Sequence, residues 1–239
     1  MTEQQFIPKA YSNLVESGMV TWQSPSNIAL VKYWGKRPHQ IPANPSISFT
    51  LSNCKTNTIL RYSPKSTDDF SFDVFLDGNK QADFRPKIQQ FFERILPYAP
   101  FLKSFHFDIE TSNTFPHSSG IASSASGMSA LAICVVALEE LICVDLDSAF
   151  LKRKASFLAR LGSGSACRSI EGGLVVWGKH NLILGSSSSM ENNLFWKNVL
   201  VPRMSEKFGV QCVASSLEAT EAQQTSSNLS SSSTIFPNS

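Results

Sequence analysis

Histidine is scarce in this chain, four residues in 239, and its five cysteines (Cys54, Cys134, Cys143, Cys167 and Cys212) never form a C-x-x-C pair. Wide spacing and an odd count argue against both a zinc site and a disulfide framework, and point to a reducing compartment. Charge of one sign is lacking too. Lys and Arg total 21 against 19 Asp and Glu, a net charge of +2. No basic block or stripe offers a nucleic-acid surface. The start, Met1-Thr2-Glu3-Gln4-Gln5, lacks the basic and then apolar regions of a signal peptide. The longest apolar run, residues 130–138, is far short of the ~20 residues of a membrane span. The expectation is therefore a cytoplasmic protein with neither nucleic acid nor membrane as partner. No G-x-x-x-x-G-K-S/T string occurs, which leaves the usual P-loop fold unsupported. There is no internal repeat.

What remains describes a globular protein: 42% hydrophobic and 17% charged residues, enough for one large domain or two small ones. Residues 26–33, 46–51, 58–62 and 70–76 read as strands, and Asp77-Gly78 as the turn of a hairpin. Pro86 reads as the first helical residue of a segment reaching Tyr98. Ile88, Phe91, Phe92 and Ile95 in it recur at helical spacing. Residues 104–111 alternate, with Phe105, Phe107 and Ile109 inward and His106, Asp108 and Glu110 outward, a half-buried strand. Two helices are expected at 123–142 and 148–161, the second capped by Asp147. Residues 173–178 read as a buried strand. The chain then changes character. Residues 186–214 are of unclear structure. Residues 215–239 are dominated by Ser, Thr, Asn and Gln, too little apolar surface to offset the entropy of ordering, so disorder is expected there.

Three segments carry candidate chemistry. In the first, residues 26–37, an apolar strand ends in Lys32-Tyr33-Trp34-Gly35-Lys36-Arg37, with three cations suited to phosphate oxygens. A strand with a solvated basic end is the equally weighted alternative. The second, residues 116–127, is a loop of small residues running into an apolar helix. Such a loop lets backbone amides approach an anion, and the following helix adds unpaired N–H groups and the positive end of its dipole. Taken alone it reads more readily as a serine-rich linker before a helix. The third is Gly162-Ser163-Gly164-Ser165-Ala166-Cys167-Arg168-Ser169, where hydroxyls and one Arg suit a carboxylate or alkoxide. Alone, it too reads as a helix end followed by a surface Arg. Cys167 beside Arg168 invites a thiolate reading, but with no His nearby a buried structural cysteine is favoured. His117 reads as a variable loop position, and Asp108 and Glu110 as the wet side of a strand.

Together the three segments closely resemble the diphosphomevalonate decarboxylase family of the GHMP kinase superfamily. The resemblance rests on Asn27-Ile28-Ala29 with the K-Y-W-G-K-R string, on Gly120-Ile121-Ala122-Ser123-Ser124-Ala125-Ser126, and on Ser163-Gly164-Ser165-Ala166-Cys167-Arg168-Ser169 with Gly172-Gly173. Ala122 stands where the kinases of the superfamily usually carry Gly. The match covers about residues 18–180. It implies an α+β fold: a GHMP-kinase-type N-terminal domain over residues 1–185, with a ribosomal-protein-like β-α-β arrangement and the ferredoxin-like C-terminal half largely absent.

The implied reaction is ATP-dependent decarboxylation of mevalonate 5-diphosphate to isopentenyl diphosphate. ATP phosphorylates the tertiary hydroxyl, and that phosphate is then lost with CO2. ATP and Mg²⁺ are the implied cofactors, the ion bridging phosphates rather than sitting in a protein cage. No protein metal site is implied. Tyr33, Trp34, Gly35 and Lys36 match positions contacting the substrate diphosphate, and Lys32 is counted with Asn27 and Arg168 as catalytic. Ser163, Gly164, Ser165, Ala166, Cys167 and Arg168 match the loop at the acid end of the substrate. Ser119, Gly120, Ile121, Ala122, Ser123 and Ser124 match the ATP loop, and Asn27 a residue orienting Arg168. Family members are often homodimers, which makes a second copy the expected partner.

The chain also departs from the family. Members are longer and carry a D-A-G-P-N motif whose Asp lies near the reacting hydroxyl. No such motif occurs here, and no Asp follows Asp147. Asn79 and Lys80 stand where Arg is common after the hairpin Gly, and Pro45 replaces a common Ser. The expectation is weak or absent turnover. The rival readings are another small-molecule kinase of the superfamily and a non-catalytic nucleotide-binding remnant.

Overall fold

The computed structural model describes residues 3–8, 10–11, 15–116, 119–143, 146–171, 173–179 and 191–192. The expected remnant at 186–214, apart from 191–192, and the tail at 215–239 lie outside the described residues, as do His117, Ser118 and Gly172.

The largest sheet is organised by one long strand. β1 (Gly18–Val31) runs antiparallel to β4 (Ser46–Pro64), with a register shift between Pro25 and Ser26. A two-stranded ribbon, β2 (Lys36–Arg37) with β3 (Ile41–Pro42), interrupts the connection. The opposite edge of β4 serves two partners in turn. Thr56–Pro64 pairs β7 (Phe105–Asn113), and Ser46–Phe49 pairs β8 (Leu174–Trp177). β5 (Ser71–Leu76) lies parallel to β7 and turns at Asp77-Gly78 into β6 (Asn79–Lys80). Val176 and Trp177 pair with β9 (Glu191–Asn192). The turn is the expected hairpin, with positive φ at both Asp77 and Gly78 (50° and 79°).

The segments read as separate strands at 46–51 and 58–62 are one 19-residue strand, because Lys55, Thr56 and Asn57 stay paired with β1 and residues 52–54 form an irregularity opposite the Pro25–Ser26 step instead of a turn. The first strand begins at Gly18 rather than 26 and stops at Val31. Three helices cover one face of the sheet. α1 (Arg85–Ile95) buries Ile88, Phe91, Phe92 and Ile95 as the spacing predicts. It starts one residue earlier than expected, making Pro86 its second residue, and ends before Tyr98. α2 (Ser123–Ile142) packs on β1 and β4, and α3 (Ser148–Gly162) packs on α2. Asp147 caps α3 as expected, its carboxylate accepting from the Phe150 N–H at 2.9 Å.

Over its full length α2 is long and apolar enough to cross a membrane, although its central run is not. In the fold 83% of that window is buried, the environment of a core helix. Phe72, Val74, Leu60, Tyr62, Phe107 and Ile109 meet Phe91, Phe92 and Leu131 in the core. The other face of β5 and β7 is polar, with Arg61 on Glu110 at 3.1 Å and Lys80 on Asp73 at 2.9 Å. Asp108 and Glu110 are half-buried members of that wet face.

Candidate functional site

Two adjacent residues near the end of β1 tie together segments that lie far apart in sequence. The Ser26 hydroxyl donates to the Ile121 carbonyl of the small-residue loop. The Asn27 amide donates to the Ser165 carbonyl (3.2 Å) and to Ser169 Oγ (2.7 Å). Both residues are buried, and Asn27 Oδ1 has no hydrogen-bond partner among the described residues.

Beyond β1 the chain leaves the sheet, and Asn44 braces the loop. Its Oδ1 accepts from the Trp34 N–H at 2.6 Å, and its amide donates to the Lys32 and Pro45 carbonyls. Gly35 takes φ of +80°, a conformation open to glycine, and its carbonyl accepts from the Ala43 N–H. The Lys36 side chain then reaches back toward the third segment. A Cβ on Gly164 would lie 3.4 Å from Lys36 Cε and 2.8 Å from the Trp177 ring, so only glycine admits both neighbours. The Lys36 ammonium lies 5.7 Å from the centre of the Tyr33 ring and donates to Gln40 Oε1.

The third segment is a short 3₁₀ turn, Gly164–Cys167, leading into α4 (Arg168–Glu171). Arg168 is not the surface residue of the plainer reading: it is 3% exposed. Its guanidinium lies 6.0 Å from the Tyr33 ring centre and 5.6 Å from that of Trp177, within cation–π reach of both. Cys167 is buried and its thiol donates to the Gly164 carbonyl at 2.9 Å, as befits a structural cysteine.

At the small-residue loop Gly120 has φ of +80° and Ala122 of +50°. A left-handed alanine carries a cost of roughly 1–2 kcal/mol, which turns the chain sharply into the first turn of α2. Ser123 and Ser124 stand in that turn, and Ser124 Oγ accepts from the Lys87 ammonium of α1 at 2.9 Å. Protein packed around Lys87, and secondarily the charge of Lys36, holds its pKa below the usual lysine range. Beside these groups lies a cavity of about 170 Å³ between sheet and helices. Apolar Val74, Ile88, Ile109, Met128 and Leu131 line it, and Lys87, Ser123 and Ser124 stand at its lining with Asn113 and Thr56.

Of the residues singled out from sequence, Asn27, Tyr33, Lys36, Gly164, Ser165 and Arg168 converge. Ser119, Gly120, Ile121, Ala122, Ser123 and Ser124 lie alongside, joined to them through Ser26. Ser163 precedes the 3₁₀ turn and its carbonyl accepts from the Ala166 N–H within the turn at 2.7 Å. Lys32 and Trp34 face solvent. The Lys32 ammonium has no hydrogen-bond or ion-pair partner among the described residues, and Trp34 is 77% exposed. Sequence reasoning missed Lys87, Ser46 and Trp177. None belongs to a motif, and each reaches the site only through pairing or packing.

A family model, Diphosphomevalonate decarboxylase-like N-terminal domain, matches residues 24–190. The chain belongs to this family. Diphosphomevalonate decarboxylase of Bos taurus is 36% identical over 175 residues, which are 66% of this chain and 40% of the bovine protein. A solved mevalonate diphosphate decarboxylase from Enterococcus faecalis, described in terms of a mevalonate diphosphate mediated ATP binding mechanism, is 33% identical with a TM-score of 0.59. The match covers 75% of this chain and 52% of that one. A structure of MDDEF in complex with MVAPP, AMPPCP and magnesium is 32% identical with a TM-score of 0.57, covering 75% of this chain and 52% of its own. The chain thus spans about half the length of the decarboxylases it matches. The family expected from the three motifs is borne out, and so is the α+β fold of a decarboxylase N-terminal domain.

Proposed function

We propose that the chain binds mevalonate 5-diphosphate and ATP–Mg²⁺ in one cleft, as the substrate-binding half of an ATP-dependent decarboxylase. The observation that carries this is the pair Ser26 and Asn27, which fastens the small-residue loop and the serine–arginine turn to the same end of β1.

Lys36 supplies the cation for the substrate diphosphate, and Arg168 with Ser163 and Ser165 the donors for its acid end. The first turn of α2 with Lys87 suits the nucleotide phosphates. The apolar cavity behind Ser123 and Ser124 suits the nucleoside, with Asn113 as its polar contact. The site donors are ammonium, guanidinium, amide and hydroxyl groups, and none of the named site residues is a carboxylate. This fits phosphate well and a bare divalent cation poorly, so Mg²⁺ would enter on the phosphate oxygens. In the reaction so supported, the γ-phosphoryl group passes to the oxygen of the tertiary hydroxyl, whose proton is released to solvent, and leaves ADP. The bond to the carboxylate then breaks, its electron pair forms the alkene, and phosphate departs as CO2 is released.

Calorimetric titration tests the reading. The chain is expected to bind mevalonate 5-diphosphate, and to bind ATP–Mg²⁺ more tightly once that acid is present. Saturation by ATP–Mg²⁺ with no heat from mevalonate 5-diphosphate would favour a different phosphoryl acceptor. No binding of either would refute the proposal.

A further inference from the structure

We propose that Ser46 and Trp177 are positioning residues that aim the Arg168 guanidinium at the carboxylate of the bound acid. This rests on the function proposed above and extends it to two residues outside the motifs. Ser46 on β4 and Trp177 on β8 are direct partners in the antiparallel register, so the sheet itself sets them side by side. Both are fully buried.

Ser46 Oγ accepts from Arg168 Nη1 at 2.6 Å and donates to the Val31 carbonyl at 2.7 Å. One hydroxyl therefore ties the guanidinium to the end of β1, where the Lys36 loop departs. On another side the Trp177 ring lies 5.6 Å from the guanidinium carbon. It also meets the Tyr33 ring edge-to-face at 5.0 Å, and Tyr33 is the second ring beside Arg168. Trp177 Cη2 lies against Gly164, so the same indole fixes the turn that carries Ser163 and Ser165.

A planar guanidinium grips a carboxylate through two parallel bonds only when its plane is fixed. Ser46, Trp177 and Tyr33 are neutral, so they fix that plane without cancelling the charge the carboxylate needs. A buried guanidinium deprived of an acceptor carries a desolvation penalty and is driven to reorient. Ser46→Ala removes the acceptor of the Nη1 bond. Trp177→Leu removes the ring, whereas Trp177→Phe keeps an aromatic face.

The test is calorimetric titration of the whole chain and these three variants with two ligands. Mevalonate 5-diphosphate carries the acid, and isopentenyl diphosphate keeps the diphosphate but lacks it. S46A and W177L are expected to lose roughly ten- to a hundredfold in affinity for the first, while affinity for the second stays within about twofold of the parent. W177F is expected to recover most of the loss. Equal weakening for both ligands, or no weakening, overturns the proposal, since a purely structural role does not discriminate between them. Should the parent chain fail to distinguish the two ligands, the functional reading fails, and the positioning role is decided separately by ¹⁵N NMR of the Arg168 side chain. Restricted guanidinium rotation in the parent and free rotation in S46A supports the role. Identical behaviour in both overturns it.

Discussion

At the scale of single residues, the site depends on two positions where chemistry and packing conflict. Gly164 lies so close to Trp177 that a methyl group there would sit 2.8 Å from the indole. That ring is fully buried and cannot swing outward freely. Gly164→Ala is therefore expected to destabilise the fold by about 1–3 kcal/mol, the usual cost of overpacking, measured by urea unfolding, and to weaken binding of the acid. Lys87 shows the opposite conflict. Surrounding protein, with Lys36 nearby, lowers its pKa in the folded state. For a lysine so depressed, the associated stability is fully present only above the unfolded pKa near 10.5 and is lost as pH falls through the folded value. At neutral pH its charge is thus held against the preference of the fold. Lys87→Met is expected to leave the chain at least as stable as the parent at pH 7 in thermal unfolding. ATP affinity should fall roughly tenfold or more through loss of a charged donor to phosphate. A variant both less stable and unchanged in ATP binding would rule out this role for Lys87.

At the scale of elements, α2 and α3 are locked by an ion pair inside the core. Lys154 Nζ lies 2.6 Å from Glu139 Oε1, with the two side chains 1% and 2% exposed. Burial pushes the Glu139 carboxyl up and the Lys154 ammonium down, while their mutual attraction works against both shifts. Glu139→Ala leaves an uncompensated buried ammonium, and a loss of about 3–5 kcal/mol in denaturant unfolding is expected. The double variant E139L/K154M, apolar and of similar bulk, is expected near the parent's stability. Equal losses in the single and double variants would show that packing rather than charge sets the cost.

The pair also marks the limit of what could be read from the chain. The helices, the Asp77-Gly78 hairpin and the inward set Phe105, Phe107 and Ile109 were legible because each follows from local periodicity or turn chemistry. The three motifs were legible because small and cationic residues cluster in sequence. Glu139 within an apolar helix has meaning only beside Lys154 on another helix. Ser46, Trp177 and Lys87 reach the site through strand register and helix packing, which no local pattern encodes. The length of β4 was missed for the same reason: the stretch between its two halves carries no strand pattern, and the pairing of Lys55–Asn57 with Gln23–Pro25 of β1 keeps the chain in the sheet.

At the scale of the whole molecule, binding and turnover separate. In the function proposed, the donors that converge at the end of β1 hold two phosphorylated ligands, but the transfer step needs a group to orient or deprotonate a tertiary hydroxyl. The sequence contains no Asp beyond Asp147, and the named site residues include no carboxylate. For these 239 residues on their own, the expected outcome is retained ligand affinity with slow release of CO2. General acid–base groups contribute about 10²–10⁴-fold to rate, so turnover should fall below that of a full-length relative by at least that order. The measurement is ¹⁴CO2 release from carboxyl-labelled mevalonate 5-diphosphate at saturating ATP–Mg²⁺, run beside a full-length relative. A rate equal to the relative's would show that the residues converging on β1 already supply the proton-handling group.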